Sequence, residues 1–254
     1  MKFTSVKVYY SYPEHSVIYW EVENVRGAPK FKIERSLSPQ DGFELVAQDL
    51  EENYYVDKLP VVNRNVLIYY RITGTDENGT VVSEPVAHPF PPDPILKSIL
   101  KIENHWLKKF IKREIRIYIK KKYGRRCPNC WDELKQRVTV EKCIYCYGTG
   151  FWGGYYPPID SYMQVLPLPK QQVPSPIGVQ SPGEIEAWIT NYPLVSPGDL
   201  ISEKATSLKY KIMQVYPTFW KGYIMRQQLR LMLINLQDVE YKIDELYILN
   251  EVKK

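Results

Sequence analysis

The chain has 254 residues, with 34 Lys+Arg against 29 Asp+Glu, 44% hydrophobic and 25% charged residues, 21 Tyr and 20 Pro. This is the composition of an ordinary folded chain with room for two domains or three small ones, and the Tyr and Pro content favours strands and ordered loops over helices. No apolar run approaches the ~20 residues a bilayer needs. The opening MKFTSVKVYYSYPEHS alternates like a strand without a continuous apolar stretch, so no secretory leader is expected and the cytoplasm is the expected place of synthesis.

Residues 1–88 read as short strands separated by turn signals: Val6–Tyr12, Ser16–Val22, Lys30–Ser36, Phe43–Asp49, Tyr54–Asp57, Val66–Thr75 and Thr80–Pro85, with a hairpin over Asp76–Gly79. VIYWEV, with Trp20, and YYVDKL followed by VLIYYRITGTDENGTVVSEP resemble a fibronectin type III domain, although Ile68 stands where that family carries its corner tyrosine. The resemblance implies a β-sandwich and no chemistry of its own.

HPFPPDP, His88–Pro94, is a stiff linker and a domain boundary by composition. Residues 1–92 carry 9 Lys+Arg against 13 Asp+Glu, whereas residues 93–126 carry 12 against 3, so the positive charge is concentrated after the linker. Ile95, Ile99, Ile102, Trp106 and Phe110 recur at helical spacing, which predicts an amphipathic helix from Pro94 whose stripe packs within its own subunit or on a neighbour. After a turn near Lys112, Ile115, Ile117 and Ile119 alternate with Arg116, Tyr118 and Lys120, the period of a basic strand that runs into Cys127. The Lys108–Arg126 segment is read as a solvated or charge-compensating face, or as a non-specific contact for DNA.

All four cysteines lie between residues 127 and 146, in two Cys-x-x-Cys pairs with 12 residues between them. Each pair bends as a knuckle, and the hairpin WDELKQRVTVEK can bring Cys127, Cys130, Cys143 and Cys146 onto one ion, so a structural Zn²⁺ is the expected occupant. A redox dithiol would need a βαβ scaffold that the pattern lacks, disulfides conflict with a cytoplasmic origin, and four thiolates leave no open position for catalysis. CIYCYGTG alone resembles one repeat of the J-domain co-chaperones, but no His-Pro-Asp accompanies it.

Beyond the knuckle, residues 161–254 read as a proline-rich arm with five prolines from Pro167 to Pro182, then a small antiparallel barrel or sandwich built from EIEAWIT, DLISEK, LKYKIMQVYP and KGYIMRQQLRLMLINL. The fold class expected is therefore mainly β, in four parts: residues 1–88, 89–126, 127–160 and 161–254. His15, His88 and His105 are scattered, and no nucleophile, phosphate-loop or metalloprotease motif occurs, so no catalytic or cofactor-binding residue is assigned and the chain is not expected to be an enzyme.

The longer string RCPNCWDELKQRVTVEKCIYCYGTGFWGGYYPPI resembles the central segment of neck (head-to-tail connector) proteins of tailed bacteriophages, in which paired knuckles continue into Gly-Thr-Gly-Phe, Gly-Gly-Tyr-Tyr and prolines. The order of parts is similar as well. The resemblance implies a structural virion protein that forms a cyclic homo-oligomer between portal or adaptor proteins and tail proteins. It implies no membrane, and the basic segment would lie near packaged DNA. The alternative from the residues alone is a cytoplasmic zinc-ribbon module that binds nucleic acid.

Overall fold

The computed structural model describes residues 1–11, 15–58, 67–87, 94–140, 142–166 and 184–243. The chain is mainly β, with several antiparallel sheets and one α-helix among these residues. Residues 88–93 of the linker and most of the proline-rich arm lie outside them.

Two small sheets come first. One has the order β1 (Lys2–Ser11), β2 (His15–Glu23), β5 (Tyr54–Asp57). The other joins β4 (Glu44–Leu50), β3 (Lys30–Ser36), β6 (Tyr69–Asp76) and β7 (Gly79–Val82), with β8 (Val86–Ala87) also on β6. Alternation along β2, β3 and β6 turns Ile18, Trp20, Phe31, Ile33, Tyr70 and Ile72 to one core. Across it the Trp20 and Phe31 rings are 5.3 Å apart. Polar ends are tied off too: Tyr70 Oη donates to Asp57 Oδ2 at 2.9 Å, and Arg35 pairs with the same carboxylate.

The helix α1 (Pro94–Trp106) forms where expected and runs on through a π-turn, Leu107–Ile111. Lys112, in a left-handed conformation, ends it by donating its N–H to Leu107 O. The stripe that sets the helical spacing is not the face buried within the chain. The buried stripe is Leu96, Leu100 and Leu107, and Leu96 and Leu100 cluster with Tyr10, Tyr223 and Met225. Ile95, Ile102, Trp106 and Phe110 are exposed. Both stripes have helical spacing and sit one residue, about 100°, apart, so periodicity alone cannot choose between them.

A seven-stranded antiparallel sheet carries the rest. Its order is β12 (Ile159–Tyr162), β9 (Glu114–Tyr118), β15 (Leu200–Glu203), β16 (Lys209–Trp220), β17 (Tyr223–Leu233), β14 (Glu184–Thr190) and β13 (Gln164–Leu166). The edge strands β12 and β13 are separated in the chain by Met163 alone, which obliges the sheet to curl until its edges approach. Inside lie Ile115, Ile117, Met163, Ala187, Ile189, Ile201, Ile212, Leu229 and Leu231. Tyr118, which alternation sends outward, is also fully buried, because it roofs a second cluster with Tyr147, Tyr155, Leu200, Ile234 and Ile243.

The β16–β17 hairpin is longer than the sequence pattern suggests: only Lys221 and Gly222, both at positive φ, form the turn. Pro217 is tolerated within β16 because β15 pairs only as far as Lys211, so the outer half of β16 is an edge on that side.

The sandwich and the curled sheet share one hydrophobic cluster. Tyr123 lies against Phe31 at 5.5 Å and Tyr156 at 6.4 Å, Lys122 Nζ reaches Glu21 at 3.1 Å, and Asn191 Nδ2 donates to Tyr10 O at 2.7 Å. Several cations of the basic segment are thus engaged within the fold, Arg113 with Glu203 and Arg116 with Asp160 among them. Ile117 is central to this core, so Ile117→Ala should cost about 2–5 kcal/mol. Urea unfolding measures it, and a loss near zero would place the core elsewhere.

Candidate metal centre

The segment between β9 and β12 has almost no regular structure: a two-residue ribbon of β10 (Trp131–Asp132) and β11 (Arg137–Val138), and isolated bridges Arg126–Phe151 and Lys120–Tyr155. Its core is four sulfurs. Cys127, Cys130, Cys143 and Cys146 are buried, and their Sγ atoms all lie within 4.8 Å of one another. The distance from Cys127 to Cys143 is 3.8 Å and that from Cys130 to Cys146 is 3.1 Å. Both far exceed a disulfide bond of about 2.05 Å, and all four cysteines are free. A tetrahedral ion with metal–sulfur bonds of about 2.3 Å spaces its ligands about 3.8 Å apart, so the donor set and its dimensions fit a four-thiolate metal site.

Backbone bonds aim the sulfurs. In the first knuckle Cys127 O accepts from Trp131 N at 3.0 Å, and Cys130 O accepts from Thr139 N at 2.8 Å and Thr139 Oγ1 at 3.0 Å. In the second, Cys143 O accepts from Tyr147 N at 2.8 Å, and Cys146 O from Thr149 N at 2.9 Å and Thr149 Oγ1 at 2.7 Å. The knuckles are joined where Cys127 N donates to Gly150 O at 2.9 Å. Positive φ at Tyr147, Gly148, Gly150 and Gly154 turns the second knuckle back on itself. The four cysteines and the glycines are evident in the sequence. Thr139 and Thr149 are not, because their hydroxyls bond cysteine carbonyls nine and three residues away.

Electrostatics divide the thiols. Burial raises the pKa of Cys130 and Cys146. Burial pushes Cys143 the same way, but backbone N–H groups of Tyr145 and Cys146 outweigh it, so Cys143 is lowered. Arg126 brings positive charge close by. Its guanidinium lies 3.8 Å from the centre of the Trp131 ring and 4.2 Å from that of Phe151. An ion held by all four sulfurs would have no open coordination position, which is the chemistry of a structural centre.

Gly154 is the backbone position the centre tolerates least. A Cβ there would sit 2.7 Å from Cys146 O, at φ +66°. Gly154→Ala should therefore displace the second knuckle and cost about 1–3 kcal/mol. A thiol-reactivity assay should show faster modification of the cysteines than in the parent chain, and unchanged reactivity would separate Gly154 from the centre.

No family model matches the chain, and no curated protein shows significant similarity to it.

Proposed function

We propose that the chain is a structural virion protein, a subunit of a neck ring that joins the portal side of a tailed bacteriophage to its tail, with one structural Zn²⁺ held by Cys127, Cys130, Cys143 and Cys146. In this reading residues 1–88 are a fibronectin type III-like module and the chain does no catalysis. The observation that carries it is the knuckle. Its sequence runs from CPNC to GTGFWGGYYPP, and its four thiols converge while the surrounding loops leave Leu134, Val140, Ile144, Tyr145 and Trp152 exposed. A metal-braced arm with an apolar tip suits insertion between neighbouring subunits. Exposed Phe219 and Trp220 at the tip of the β16–β17 hairpin form a second such surface.

A zinc ribbon that binds nucleic acid is the second reading. It is favoured by the half-exposed Tyr145 and Trp152 rings, stacked 5.5 Å apart and 10° from parallel, with Arg125 lying 6.0 Å from Trp152. Negative-stain electron microscopy separates the two: closed rings of purified protein support the first, whereas monomers with salt-dependent affinity for single-stranded DNA support the second.

Elemental analysis of reduced protein should find one zinc per chain. Structural zinc supplies on the order of 10–16 kcal/mol in finger peptides, so Cys143→Ser should lose the metal and unfold the knuckle. Metal-free protein with an intact knuckle would refute the assignment.

A further inference from the structure

The outer stripe of α1 and its π-turn leaves apolar surface uncovered on a regular element. Ile95 is 57% exposed, Ile102 67%, Trp106 45% and Phe110 65%. These side chains are ordered: the Trp106 and Phe110 rings stack at 5.0 Å, and Trp106 Nε1 donates to Gln164 Oε1 at 3.1 Å. Ile102, Trp106 and Phe110, with Lys101, His105 and Lys109, line a shallow groove of about 560 Å³. The helix thus has two apolar faces, and the inner one packs on Tyr10 and the β17 residues Tyr223 and Met225. Its edges are basic. Lys101, Lys108, Lys109 and Lys112 make no salt bridge among the described residues, and the helix's one carboxylate, Glu103, faces Arg226 at 3.8 Å. Whatever covers this stripe should be apolar and acid-flanked.

One part of the chain has that chemistry. Residues 244–254, DELYILNEVKK, place Leu246, Tyr247, Ile248, Leu249 and Val252 among Asp244, Glu245 and Glu251. They follow Ile243, which is anchored in the buried cluster with Tyr118 and Ile234. The stripe from Ile95 to Phe110 is about 22 Å long at ~1.5 Å per residue, and 11 extended residues span at most about 36–40 Å, so the segment is long enough to cover it. We infer that the outer stripe of α1 is the docking site for residues 244–254 of a second copy of this chain. This rests on the ring reading, because the contact is heterologous, from the tail of one subunit to the helix of the next, and repeats until the assembly closes.

The test uses full-length chains. Phe110→Asp and Ile102→Asp each place a carboxylate on the stripe at an exposed position, and Leu249→Asp disables the tail. Light scattering should show self-association at least tenfold weaker for each than for the parent chain. An equimolar mixture of Phe110→Asp and Leu249→Asp should form 1:1 dimers, since one intact tail then meets one intact stripe. A parent chain that assembles while the variants assemble equally well would overturn this contact and leave the ring reading standing. A mixture that stays monomeric would overturn docking between copies. A parent chain that is monomeric at every concentration would overturn the ring reading itself, and this contact with it.

Discussion

Between β9 and β12 the chain has to hold some forty residues in place with a ribbon of two residues per strand, and around residues 127–146 four cysteine sulfurs occupy the interior. A segment of that size cannot bury enough apolar surface to meet the entropy of ordering it. Four thiols within 4.8 Å of one another, each knuckle closed by bonds from Thr139 or Thr149, stand where a hydrophobic core would and form a cluster that could hold a metal ion. Position follows from the same constraint. The bridges Lys120–Tyr155 and Arg126–Phe151 fasten the knuckle to the strands on either side, and Tyr147 and Tyr155 reach from it into the cluster around Tyr118.

That attachment explains how the parts communicate. The expected basic strand ends at Tyr118, and from the bend that follows it toward Cys127 Lys122 pairs with Glu21 and Tyr123 meets Phe31 of the sandwich. The charge contrast between residues 1–92 and 93–126, which in the sequence marks a boundary, becomes in three dimensions a reason for the two regions to adhere. Part of the basic segment is thereby engaged inside the molecule, while Lys108, Lys109, Arg125 and Arg126 face outward.

Strands were legible where one face is buried and the other wet. Lys30–Ser36 lies where the alternating pattern puts it, since a period of two has only one register that buries the apolar set, and Tyr54–Asp57 and Glu184–Thr190 also keep their expected bounds. The four cysteines were legible because their spacing encodes their chemistry. Other features were not. Two apolar stripes one residue apart on α1 are equivalent until a partner is present, and Tyr10, Tyr223 and Met225 come from distant strands. Pro217 ends the expected strand LKYKIMQVYP, yet β16 runs on to Trp220 because β15 ends early, a fact of topology. The hydroxyls of Thr139 and Thr149 reveal their role only once the cysteine carbonyls are placed.

Amide hydrogen exchange with and without a zinc chelator tests most directly whether a metal at the four thiols is what holds this region. The account predicts that chelation removes protection from the amides of Cys127, Trp131, Thr139, Tyr147 and Thr149 while β14, β16 and β17 keep theirs. Protection of those five amides that is indifferent to chelation would contradict it.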